Sequence, residues 1–383
     1  RPITAEGYGM RTNQQTTLKA PATLSGIGVH SGNPVEITLH PAPANHGIAF
    51  LRTGMPTGND RLIKAHHACV SATELCTVIG DVESGAVATI EHLMSALYGL
   101  GIDNVLVEID GPEMPILDGS ALPYVQAIDA VGTATCGAAK RWIKVLRSVR
   151  IEVGRAFAEL RPIDRGFRLD VEIDFESPVI GRSRKAMDLT PAAYRREIAG
   201  ARTFGMMRDV ERYWKAGFAL GASLDNTVAV GETAVVNPEG LRFPDEFVRH
   251  KFLDAVGDLA LAGLPIQGGY RSYCGGHRMN VGVLSALFSD RANYAIVEAQ
   301  APRREGALAE LGEWQGDLLL GVDHAAPRRE SVVALQRGTT VLMFTDGLIE
   351  RRAGDNRFVS VLVPSQGEML LGRRHYWPIY QAA

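Results

Sequence analysis

Alternation and helical spacing divide the chain into elements before any chemistry is considered. In "PVEITLHPA", Val35, Ile37 and Leu39 alternate with polar residues and predict a half-buried strand ending at a proline; Val105, Val107 and Ile109 do the same in "NVLVEIDG". Between them, "ATIEHLMSALYGLG" carries Ile90, Leu93, Met94 and Leu97 at helical spacing and stops at glycines. "GPEMPILDGSALPYVQAIDAVG" predicts a proline-bearing loop, then a helix entered through Asp118, Gly119 and Ser120. The small, polar stretch "GTATCGAAKR" (132–141) predicts a linker. In "FRLDVEIDF", Phe167, Leu169, Val171, Ile173 and Phe175 share one face of a strand. Much later, Pro244-Asp245 signals the start of a helix over 245–262, with Phe247, Leu253, Val256 and Leu259 as its apolar stripe.

Each half therefore pairs strands with one long helix, which predicts an α+β fold. The boundaries that follow are 10–138 for a first domain and 139–300 for a second. A glycine- and alanine-rich insertion lies over about 203–240, and 301–383 is a charged linker with a strand-rich C-terminal segment. Residues 1–9 precede Met10 and are set aside as translated upstream sequence or a cloning remnant.

The 383 residues suffice for two or three cores, and a net charge of −3 gives no reason to expect a nucleic-acid partner. An anionic substrate must then be held by local charges. Four cysteines, Cys69, Cys76, Cys136 and Cys274, form no CxxC pair, which suits a reducing compartment. No charged-then-apolar leader and no apolar run of about 18 residues is present, so the expectation is a soluble, cytoplasmic monomer without a membrane span.

Chemistry changes the picture at the late helix. His250, Asp254 and Asp258 recur every fourth residue and stack on one face, either as a solvated surface or around a metal. A catalytic zinc takes three protein ligands and keeps a position open for water. His92 offers a third ligand, and Glu91 beside it is placed as zinc hydrolases place a general base, although the sequence is not HExxH. His277, in the loop "YCGGHRMN", becomes a candidate general acid if a zinc site lies nearby.

In order and spacing, "TIEHLMSALYGLGIDN", "PILDGSA", "ARTFGMMRD", "LRFPDEFVRHKFLDAVGD" and "GGHRMN" resemble the UDP-3-O-acyl-N-acetylglucosamine deacetylases, as do "SGIGVHSG" and "HPAPANHGI". These are zinc amidases that commit Gram-negative bacteria to lipid A synthesis, and the likeness covers about residues 16–298. It implies two similar layered domains with helices packed between β-sheets, and UDP-3-O-acyl-N-acetylglucosamine as substrate. The implied metal ligands are His92, His250 and Asp254, holding Zn2+, with Fe2+ as the alternative in cells. Glu91 would be the base and His277 the cationic partner of the oxyanion and leaving nitrogen. Asp258 would orient that histidine, and Thr203 would bond the oxyanion. Lys251 and Phe204 match sugar contacts. Met207, Val210, Ala219 and Leu224 match an acyl-chain passage, though ordinary core suits them equally. Phe175 matches an aromatic on the uracil, or is core. Some relatives carry a lysine where this chain has Cys274, so Arg271 or Arg278 would take over a diphosphate contact. An acylated substrate also allows peripheral membrane contact.

"LLLGVDHAAPRRESVVALQRGTTVLMFTDGLIERRAGD" (318–355) has no counterpart in a deacetylase and resembles the late portion of bacterial metal-dependent serine/threonine phosphatases. There Asp346 would bind a divalent metal, but the other aspartate motifs are missing, so a remnant without phosphatase activity is expected. Two rival readings remain: a regulatory protein working through this segment, and an inactive binder of nucleotide-sugar lipids.

Overall fold

The computed structural model describes residues 13–55, 58–81 and 85–299, with two short strands beyond them, Thr340–Leu342 and Ser360–Leu362. Chain contacts divide the protein into residues 1–300 and 301–383. In the second unit the two strands pair antiparallel; Asp346 and the residues before Asn13 lie outside the described residues.

The first unit is α+β. Among the described residues its α-helices are α1 (Glu91–Leu100), α2 (Leu122–Val131), α3 (Pro191–Glu197), α4 (Val210–Lys215), α5 (Glu246–Leu259) and α6 (His277–Phe288). The first half builds a five-stranded sheet in the order Ala22–Ile27, Pro34–Pro41, Val105–Ile109, Ile48–Arg52, Arg61–Lys64. Its central strand pairs parallel with Ile48–Arg52 and antiparallel with Pro34–Pro41. Alternation decides which side is buried: Val35, Ile37, Leu39, Val105, Val107 and Ile109 all face the core.

The second half builds a seven-stranded sheet around Ile266–Tyr273. One edge of that strand is shared by Arg141–Val145 and Ala156–Arg161, and the other pairs parallel with Phe167–Asp174. Leu169, Val171 and Ile173 point to the core as their period predicts, whereas Phe175 falls beyond the strand end and is 38% exposed.

The linker expected over 132–141 is instead a strand, Thr133–Ala139, paired antiparallel with Gln14–Leu18. Its register is held by the backbone ladder and by Gln15 donating to the Ala139 carbonyl, so small residues that signal a linker by composition serve a half-exposed strand equally well.

α1 and α5 pack on each other between the sheets. α1 ends where Gly101, at φ 78°, caps it by donating to the carbonyls of Leu97 and Tyr98, a left-handed position that suits glycine. The two helices touch at Gly257, where an added Cβ would lie 2.0 Å from the Glu91 carbonyl oxygen. Only glycine permits this approach. α5 is also buried almost all round: of its residues only Arg249 and Lys251 are not buried. Its polar face is therefore internal, and the solvated-face reading of His250, Asp254 and Asp258 is excluded. Burial of Val248, Phe252, Leu253 and Val256, worth about 1.5–3 kcal/mol each, offsets the cost of bringing that face inside.

Candidate metal centre

Where the N-terminal turn of α1 meets the middle of α5, three side chains converge. His92, His250 and Asp254 are all buried, and one ligand atom from each lies within 4.8 Å of the others. Asp254 Oδ1 stands 3.3 Å from His250 Nε2 and 3.8 Å from His92 Nε2. The imidazoles meet edge-on, with centroids 5.1 Å apart. His250 Nδ1 donates to the Ala201 carbonyl at 3.0 Å, which fixes the tautomer and turns Nε2 inward. Burial, then the neighbouring His250, pushes the His92 pKa down to about 3, and burial also lowers that of His250, so both rings are neutral donors. Burial works against the Asp254 carboxylate, but Lys251, donating to Oδ2 at 2.6 Å, leads the opposing charges that together hold the group well below the usual range. Two neutral imidazoles and a carboxylate fit a divalent metal of the zinc type.

The segment that supplies Ala201 is itself locked to α5. Glu246, fully buried in the first turn, accepts from the Arg202 backbone N–H at 3.0 Å, from Arg202 Nε at 2.9 Å and from the Arg242 backbone N–H at 2.6 Å. This clamp holds Thr203, and the Thr203 amide donates to the Gly119 carbonyl at 2.8 Å.

Beside the triad lies a chain of proton-bearing groups. Glu91 is buried, and Oε2 accepts from the Thr77 backbone N–H at 3.1 Å. Burial is the chief cause of its pKa rising to about 7. His277 Nε2 stands 3.9 Å from Glu91 Oε1, and its Nδ1 bonds Asp258 Oδ2 at 2.8 Å. Asp258 is fully buried and also accepts from Thr77 Oγ1 at 2.6 Å and Asn280 Nδ2 at 2.8 Å. Burial disfavours the imidazolium of His277, but the charge of Asp258, then that of Glu91, outweighs it and raises the pKa to about 9. His277 is not a loop residue as its glycine neighbours suggested. It is the first residue of α6, entered from Gly276, and this leaves Asn280 one turn on, beside Asp258.

Of the residues matched to substrate contacts, Lys251 adjoins Asp254, and Phe204 packs edge-on against Phe175, Phe247 and His250. Phe175 is thus an exposed neighbour of Phe204 and not core. Met207 and Leu224 are 47% and 42% exposed, and Val210 and Ala219 are half-buried, so ordinary core does not describe them either. Their segment is stitched to the loop at 28–33: Leu220 N donates to the His30 carbonyl and Gly221 N to that of Val29. His30 packs edge-on against Phe218, and its loop is held by Glu113, which accepts from the His30 and Ser31 amides at 2.8 Å. Arg271 lies over Phe157 and 3.9 Å from Asp170, whereas Arg278 is exposed next to His277.

Thr77, Asn280, Ala201 and Glu246 were not singled out in the sequence. Asn280 carried a signal, lying three residues after His277 on what becomes one helix face. Thr77 and the Ala201 carbonyl carried none, since their roles arise from long-range contacts.

The family profile described as UDP-3-O-acyl N-acetylglycosamine deacetylase matches residues 15–289, and the one described as stage II sporulation protein E matches residues 300–363. The latter match takes in the charged stretch at 301–316. The UDP-3-O-acyl-N-acetylglucosamine deacetylases of Brucella ovis, Brucella canis and Brucella melitensis are each 51% identical to this chain over 286 residues, spanning 74% of it and 99% of their own length.

Proposed function

The chain belongs to the UDP-3-O-acyl-N-acetylglucosamine deacetylase family, and from that premise and the geometry of the site we propose that it hydrolyses the N-acetyl amide of UDP-3-O-acyl-N-acetylglucosamine. The products are acetate and the free amine, the committed step of lipid A synthesis. The observation that carries this reading is the meeting, in one buried centre, of a His92–His250–Asp254 donor set with the Glu91 and His277 pair.

His92, His250 and Asp254 are the residues to hold the metal. A divalent ion there supplies Lewis acidity, which acidifies water and polarises the amide carbonyl. Glu91, with a pKa near neutrality, takes the proton from the attacking water. His277, kept protonated by Asp258, faces the developing oxyanion and then protonates the departing nitrogen. Thr203, held by the Arg202–Glu246 clamp, donates its hydroxyl to the oxyanion. Thr77 touches both Glu91 and Asp258, so it fixes the spacing of base and acid.

Lys251 and Phe204 take the sugar. Met207, Val210, Ala219 and Leu224 take the acyl chain, whose burial is worth about 0.8 kcal/mol per methylene. Phe175 stacks on the uracil, and with Arg271 engaged by Asp170, Arg278 is the cation for the diphosphate. Among the described residues no helix is long and apolar enough to cross a membrane, so any membrane contact made through the acyl chain would be peripheral. The test is incubation of the purified chain with the acylated UDP-sugar, with acetate and free amine measured together. Equal release of both is expected; binding of the substrate without hydrolysis would favour an inactive binder.

A further inference from the structure

A cavity of about 310 Å³ opens where α1 and α5 end, and none of the metal or proton-transfer residues lines it. Met94, Leu97, Ile102 and Leu264 give it apolar walls, and Arg141 and Lys64 are its cations. The Nε of Arg141 is fully buried and has no hydrogen-bond partner among the described residues. That nitrogen is closed to solvent, but the Arg141 guanidinium as a whole makes no ion pair or hydrogen bond among the described residues, and such groups are nearly always satisfied, so an unpartnered guanidinium lining a cavity points to a missing partner.

The other polar groups around the cavity are already engaged. Asp103 accepts from the Thr16 amide at 2.8 Å and pairs with Lys140 at 3.0 Å. Asn104 donates to Gln15 at 3.1 Å and accepts from the Gly47 amide at 2.9 Å. At the end of α1, the Gly101 carbonyl accepts from Thr16 Oγ1 and Lys140 Nζ, and those of Leu97 and Tyr98 from the Ile102 and Gly101 amides. These three carbonyls are therefore taken and do not face an anion. His66 on the wall accepts from the Ala68 amide through Nδ1, which leaves Nε2 as a further donor.

We propose that this cavity is a binding site for a small organic anion, a carboxylate or phosphate ester carried on a short apolar body. The guanidinium of Arg141 suits such a group because it presents paired donors in a fixed plane, and exposed Lys64 adds charge at the rim. The apolar walls take the body of the ligand, and the volume is at the small end for ligand pockets.

The test is calorimetric titration of the metal-loaded full chain with benzoate and, separately, with phenyl phosphate. One saturable site is expected for at least one probe, and the pair distinguishes a carboxylate from a phosphate site. Arg141→Gln should weaken binding about tenfold or more, the loss of a bidentate charged contact, and leave deacetylation unchanged. Lys64 is exposed, so Lys64→Gln gives a second reading, a several-fold weakening, even if Arg141→Gln folds poorly. No saturable binding by either probe overturns the proposal. So does binding that neither substitution affects and that competes with substrate, since that places the probe at the metal centre.

Discussion

Asp258→Asn separates the charge behind His277 from the shape of its surroundings. The substitution is nearly isosteric: an asparagine oxygen can accept from His277 Nδ1 and Asn280 Nδ2, and the Thr77 hydroxyl can rotate to accept from the new amide. What disappears is the anion that chiefly outweighs burial of the imidazolium. A fall in the His277 pKa from about 9 to the ordinary 6.5 weakens its hold on the proton by roughly 3 kcal/mol. The protonated form does the work, so activity is lost as pH rises through this pKa. At pH 8 about nine-tenths of the wild-type histidine is charged, against about 3% in the variant, a loss of roughly 30-fold. At pH 6 both are mostly charged, and the loss from this cause is less than about twofold. The assay is kcat/KM against pH for both proteins, with metal content matched. A variant whose basic limb stays at the wild-type pH, with a loss independent of pH, would refute the role given to Asp258.

Three further outcomes are expected. Glu91→Gln should keep its metal while kcat falls roughly 10²–10⁴-fold, because the amide cannot take the water proton; wild-type turnover in that variant would place the base elsewhere. Gly257→Ala puts a methyl group against the Glu91 carbonyl, so thermal unfolding should report a loss of about 1–3 kcal/mol and activity should fall further than stability alone explains; an unchanged midpoint and rate would show that the helices are not in contact there. A chain ending at residue 300 should fold and deacetylate normally, since the contact division falls there and every residue assigned to deacetylation precedes it; loss of activity on truncation would show that the tail completes the enzyme.

Much of the centre was legible because it sits on two helices with regular spacing. His250, Asp254 and Asp258 at intervals of four had to share a face, and Glu91-His92 in an apolar helix demanded a buried partner. What the pattern could not give was the direction of that face, since a helix buried all round shows the same polar stripe as a solvated one. Family resemblance supplied that step. The strand at Thr133–Ala139 was hidden because its partner lies more than a hundred residues away and its side chains are small. Thr77 and the Ala201 carbonyl were hidden for a related reason: a hydroxyl or a peptide oxygen acquires a role only through what folding brings to it.

The central claim is that one metal held by His92, His250 and Asp254 is required for amide hydrolysis. Its most direct test is titration of metal-stripped protein with zinc, following bound metal and acetate release together. Activity should rise linearly from zero and break at about one equivalent per chain, and His92→Ala should show neither tight binding nor turnover. Full hydrolysis by the stripped protein, or a normal break and rate in His92→Ala, would contradict it.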